Sequence, residues 1–391
     1  MKLTRPLQCS LPVTRRASLA LLAGVLASCG GSSAPDTAAA DAPGAVAVVP
    51  GVAPTLANIA MTQGNGKLKI FILAGQSNMQ GFGKVELGAD LTDPAQKTRP
   101  ALILGGVGSL RALVNDDKAG AYKYLLDPVK TVTYTVNNVT KTYPAWASRA
   151  DVWISNWGGA LGSLTASNSG ALTVGFGSEN RLPAGYIGPE FGFGHVVGNA
   201  MGDKVLLVKT SWGGKSLAVD FRPPSSGGTL GPYYKEIIDK ARMVLADVKK
   251  YYPAYDGKGV EIAGFGWHQG FNDRVTAAYA AEYEVNLANL IRDVRKDLGV
   301  PTMPFVIANT GMASADKDAQ AVKVITAQGN VSDPKKYPEF AGTVSTVDTR
   351  PFDFPFTSPE TAFGHHWYYS GVSYFRIGEY MGNAMIKLIA P

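Results

Sequence analysis

Between Lys67 and Ile389, short apolar runs rich in β-branched residues alternate with longer segments of helical period, and few folds accept that order. Lys67–Gly75, Lys204–Thr210, Val260–Trp267, Pro304–Asn309 and Gly342–Val347 read as strands. Pro189–Met201, Pro232–Tyr251, Thr276–Leu298, Ala315–Gln328 and Gly371–Ile389 read as helices. This alternation predicts a mostly parallel sheet covered by helices on both faces, an α/β protein. In such sheets functional residues gather beyond the carboxyl ends of the strands. Residues 91–176 break the pattern. Thr131–Thr142 alternates like a hairpin around Asn137-Asn138, and Gly-rich turns surround it, so the stretch reads as an insertion near the mouth of a site.

The first residues stand outside that fold. Residues 1–28 carry Lys2, Arg5, Arg15 and Arg16 with no acid, then the short apolar stretch Ala17–Ala27. That stretch is too short to span a bilayer, so it reads as an export signal. Leu26-Ala27-Ser28-Cys29 reads as a lipoprotein cleavage site with Cys29 acylated, placing the protein in a bacterial cell envelope and on a membrane through a lipid anchor. Thr14-Arg15-Arg16-Ala17-Ser18-Leu19 resembles a twin-arginine signal, with an ordinary secretion signal as the alternative. No aspartate follows Cys29 to argue for the inner membrane. Residues 29–64, rich in Ala, Gly, Ser, Pro and Val, read as a flexible tether, leaving residues 65–391 as the folded part.

The chain carries a net charge of +6, four units of which lie in residues 1–28. The basic character therefore belongs largely to the signal, and nothing points to a nucleic-acid partner. The two cysteines, Cys9 and Cys29, fall in or at the edge of the signal, which leaves neither a disulfide nor a cysteine metal site.

The strand ends carry the chemistry. The first ends in Gly75-Gln76-Ser77-Asn78, where a serine just past a buried strand is either a helix cap or a nucleophile. The next ends in Ser211-Trp212-Gly213-Gly214-Lys215, whose glycines allow close backbone approach and free N–H groups. A third ends in Trp267-His268-Gln269-Gly270-Phe271-Asn272-Asp273, and Gly364-His365-His366-Trp367 precedes the closing helix. A hydroxyl, backbone donors, an amide and an imidazole are the inventory of serine-based acyl transfer. No ligand spacing for a catalytic metal is present, and no cofactor is implied.

Taken in order, these blocks resemble those of the SGNH hydrolases, within them the carbohydrate esterase group that includes sialate O-acetylesterases and acetylxylan esterases. Gly75-Gln76-Ser77-Asn78 is similar to the first block, Gly213 or Gly214 stands at the second, and Gly270-Phe271-Asn272-Asp273 reads as the third. His366, five residues before Gly371, has a spacing similar to the last. The resemblance implies a three-layer α/β/α sandwich with a flavodoxin-like sheet. It implies a serine esterase that removes O-acetyl or similar short acyl groups from an acylated carbohydrate. Ser77 would be the nucleophile and His366 the base, with an oxyanion hole from the Ser77 N–H, a Gly213 or Gly214 N–H and the Asn272 amide. Gln76, Trp212, Gln269 and Trp367 are substrate-binding candidates, although core packing explains the tryptophans equally well.

Two positions depart from the family. Phe363 stands where an aspartate usually precedes the histidine, and Phe271 where many sugar esterases carry glutamate. Asp273 is then the expected triad acid, with Glu360, Asp353 and Asp348 as competitors. Asp273 also fits a plain N-cap for the following helix. His195, on an apolar helix face, reads as structural, and His268 as a packed neighbour. The departures keep two alternatives open: a carbohydrate-binding lipoprotein with a decayed esterase site, and a serine hydrolase of non-sugar esters.

Overall fold

In a computed structural model of the chain, residues 64–89, 102–178, 182–311, 318–352 and 364–390 are described. The export signal, Cys29, nearly all of the tether, Asp353, Glu360 and Phe363 lie outside them.

Seven strands form the central sheet: β1 (Leu68–Gly75), β2 (Arg149–Trp157), β3 (Asn168–Leu172), β4 (Val205–Ser211), β5 (Val260–His268), β6 (Phe305–Ala308) and β7 (Val344–Val347). Their order is β7-β6-β5-β1-β4-β2-β3. Every neighbouring pair is parallel except β2 with β3, which closes one edge antiparallel.

β1 is buried along its whole length, and its alternating side chains feed two separate cores. Leu68, Ile70, Ile72 and Ala74 pack on one face with α3 (Pro232–Ala246), α4 (Ala277–Asp297) and α5 (Ala319–Asn330). Phe71 and Leu73 pack on the other with α2 (Pro189–Ala200) and α6 (Gly371–Ile389). The period of two along a strand separates the two faces in this way. The fold is thus the expected three-layer α/β/α sandwich with a mostly parallel sheet.

Two expectations need correction. Residues 91–176 are not wholly an insertion, because β2 and β3 lie within them and join the sheet. The hairpin is real and longer than its alternation showed, pairing Leu126–Val136 with Val139–Trp146. Asn137 (φ 50°) and Asn138 (φ 61°) turn it, the left-handed pair that a two-residue turn requires. The segment read as one helix over Pro232–Tyr251 breaks at Asp247 (φ −142°), and Val248–Tyr251 continues as a separate turn.

Candidate active site

The carboxyl ends of β1, β4 and β5 finish level, since Gly75 pairs with Ser211 on one side and His268 on the other. A Cβ on Gly75 would lie 2.2 Å from the His268 carbonyl oxygen, so only glycine permits the approach. Gln76 N donates to His268 O at 3.3 Å, and Trp212 N to Gly75 O at 3.1 Å. The Gln76 side chain then crosses to the third block, where its Oε1 accepts from Gly270 N and Asn272 N, both at 3.2 Å.

This stitching fixes α1 (Ser77–Gln80), a single turn that opens on Ser77. The Ser77 N–H makes no hydrogen bond among the described residues, as expected for the first turn of a helix. Gly213 sits against it, because a Cβ there would lie 3.9 Å from Ser77 Cβ. Gly214 (φ 67°) lies in open space. Asn78 Oδ1 accepts from the Tyr374 hydroxyl at 3.0 Å, which ties the turn to α6.

Asp273 has a different task from the one expected. It is fully buried, and it accepts from Leu217 N and Ala218 N at 2.9 Å and from Gln269 Nε2 at 2.5 Å. Burial pushes its carboxyl up to about 6, while the three donors pull the other way. Both oxygens are occupied in clamping the loop after β4 to the loop after β5, so Asp273 does not serve His366. Asp348 is also engaged, accepting from Asn309 Nδ2 at 3.0 Å and Arg350 Nη2 at 2.7 Å.

Four substrate-binding candidates are corrected on the same grounds. Gln269 is buried, giving its amide to Lys215 O and Asp273 and receiving the Tyr283 hydroxyl. Gln76 is occupied as described. Trp212 packs on Tyr233 and Phe221 and donates to Gly159 O, and Trp367 is fully buried. A sugar ring cannot stack on side chains enclosed by core.

His366 occupies an unusual loop. Trp367, Tyr368 and Tyr369 follow it with φ of 53°, 52° and 60°, three consecutive non-glycine residues in the left-handed region. The imidazole stacks on Phe82 at 4.0 Å between centroids and 6° between planes. Its Nδ1 is buried with no hydrogen-bond partner among the described residues. Burial, then the neighbouring His365, push the ring down to about 3. His365 turns instead toward Phe271, over which Arg274 lies. His195 packs against Phe191 and Tyr124, and His268 Nδ1 faces Ala308 O at 3.1 Å.

One charged group beneath the turn was not singled out from the sequence. Lys209, midway along β4, is fully buried and donates to Gln80 O at 2.7 Å, Phe176 O at 2.8 Å and Glu190 Oε2 at 2.8 Å. A lysine inside the apolar run Val205–Ser211 is the signal that could have found it. Burial acts to raise Glu190 and lower Lys209 against their mutual attraction. Removing one member of such a pair costs about 3–5 kcal/mol.

Residues 172–350 match the family model described as carbohydrate esterase, sialic acid-specific acetylesterase. The fold, the strand-end site and that match define a carboxylic ester hydrolase. Over the matched stretch the chain is similar to the sialic acid-specific carbohydrate esterases. The stretch contains Gly213, Gly214, Asn272 and Asp273, whereas Ser77 and His366 lie on either side of it.

No curated protein matches the chain. Among solved structures, a protein from Arabidopsis thaliana is 16% identical over 82% of this chain and 98% of its own, with a TM-score of 0.47. A carbohydrate acetylesterase from Xanthomonas citri is 12% identical over 81% of this chain and 55% of its own, at 0.45. NanS is 14% identical over 83% of this chain and 98% of its own, at 0.45. None of the site assignments rests on these distant likenesses.

Proposed function

We propose that this esterase removes O-acetyl or similar short acyl groups from carbohydrates through a Ser77 acyl-enzyme, with His366 as the base. The observation that carries the reading is the convergence beyond the carboxyl ends of the central strands. Ser77 opens a turn with a free N–H, Gly213 lies against it, and the following Phe82 stacks on His366.

Ser77 Oγ attacks the acyl carbonyl while His366 takes its proton. The same imidazole returns the proton to the departing sugar hydroxyl, and water then releases the acid by the reverse roles. The oxyanion is met by the Ser77 N–H, the Gly213 N–H and the Asn272 amide. The Gln76 bond to Asn272 N fixes the backbone that carries that amide. With Asp273 and Asp348 committed elsewhere, a carboxylate partner for His366 Nδ1 would have to come from Asp353 or Glu360. We place the enzyme in the cell envelope, anchored through Cys29, on the sequence of residues 1–64 alone.

The test is Ser77→Ala, assayed with p-nitrophenyl acetate and acetylated sugars. The variant is expected to lose kcat by at least ~10³ while keeping its melting temperature, because position 77 is a turn. Wild-type kcat in a folded Ser77→Ala protein would sink the mechanism.

A further inference from the structure

We infer that the buried Lys209–Glu190 pair positions the nucleophile turn, so that Lys209 is a positioning residue for Ser77. This rests on the Ser77 reading. α1 has only four residues, too short to hold its own geometry, and it is gripped at both ends. At its start, the Gln76 backbone and side chain bind the end of β5. At its finish, the Lys209 ammonium binds the carbonyl of Gln80, the last residue of the turn.

The ammonium uses its three protons on three different segments: the turn, the loop at Phe176 and Glu190 in the first turn of α2. Glu190 is itself fixed, since its Oε1 accepts from Gly188 N at 2.7 Å. Both side chains have 0% exposure, so the pair cannot be relaxed by water. Lys209 also lies only two residues before Ser211, the residue level with Gly75. A shift of the ammonium is therefore passed to Gln80 O and through one helical turn to Ser77. An acyl-transfer site loses rate when its nucleophile moves by fractions of an ångström.

The experiment must separate loss of fold from loss of alignment. Removing one charge strands the other, so the informative variant is Lys209→Met combined with Glu190→Gln. It drops both charges, keeps volume, retains an acceptor for Gly188 N and loses the bond to Gln80 O. Two readings are taken per folded molecule: kcat against KM on p-nitrophenyl acetate, and the rate at which diisopropyl fluorophosphate labels Ser77. Both kcat and labelling are expected to fall at least tenfold, with KM within about twofold of wild type. Glu190→Gln alone, which keeps the Lys209 donor for Gln80 O but removes its anchor, is expected to melt earlier and to lose less labelling than the double variant. If the double variant does not fold, Lys209→Leu with Glu190→Gln, which likewise lacks a donor for Gln80 O, is read the same way. A folded double variant that labels Ser77 at the wild-type rate overturns the positioning role and leaves the esterase reading intact. A wild-type enzyme that the fluorophosphate does not label at Ser77 overturns both.

Discussion

The turn carrying Ser77 and the loop carrying His366 are held in opposite ways. Around Ser77, hydrogen bonds with the loop after β5, α6 and Lys209 hold Gln76, Asn78 and Gln80. Around His366 the imidazole stacks on Phe82 beside a run of left-handed backbone, and its Nδ1 has no partner among the described residues. Such backbone conformations cost about 1–3 kcal/mol each and persist only where the surroundings impose them. Here Trp367, the first of the three, is fully buried. Ser77 is thus placed by the sheet itself, and His366 by the packing of one loop.

The sharpest break in that comparison is His366→Ala. Its effect is expected to equal that of Ser77→Ala, a loss of ~10³ or more in kcat, because nucleophile and base act as a unit. His365→Ala should be far milder. The wild-type pH profile refines the same point. With the ring pushed down to about 3, His366 stays neutral through mildly acidic pH, so kcat/KM should hold well below pH 6 in the free enzyme. Among the described residues, the charged neighbour that acts on it is His365, which lowers the ring further. An acid limb at or above 6.5 would instead report a carboxylate on Nδ1.

Asn272→Ala comes next, with kcat expected to fall by about 10² to 10³ and KM nearly unchanged, since the amide meets charge only in the transition state. A lower melting temperature with normal kcat would assign Asn272 to structure. Asp273→Ala should disturb catalysis least per folded molecule while lowering the melting temperature, because it frees Leu217 N, Ala218 N and the Gln269 amide. The raised pKa adds a direction. Unfolded Asp ionises near 3.8 and folded Asp273 near 6, so its contribution is fully present below pH 3.8 and fades as pH rises through about 6. Melting curves of wild type and variant across that window should converge or cross toward neutral pH. A collapse of kcat in folded Asp273→Ala protein would restore it to the triad.

Much of the fold was legible because its signals are local. β1 announced itself by an unbroken apolar run, and α6 begins at Gly371 as read, where the Ser370 hydroxyl caps Ser373 N. β2 was missed because Arg149, Ala150 and Asp151 give it a charged, half-exposed start, within a stretch whose hairpin and glycines dominate the pattern. The order of the site blocks was legible too, since a strand end fixes where a residue sits. Which way its side chain turns was not. Asp273 is directed by the N–H groups of Leu217 and Ala218, more than fifty positions away, and Gln269 by Tyr283 on α4. Trp367 looked like a sugar platform from its place beside His366, and packing decided otherwise.

The bond between Tyr374 and Asn78 joins residues 296 positions apart, and it has a consequence for how the protein is made. α6 is the last element synthesised, yet it covers the same face of β1 that Phe71 and Leu73 present near the start of the fold. Until residue 389 has emerged, that face of a growing sheet is covered only in part, by α2. Long-range closures of this kind slow folding and leave apolar surface open to wrong partners. In refolding, esterase activity should therefore return after most of the sheet has formed. A chain stopped short of Gly371 would hold its serine with no competent protein around it.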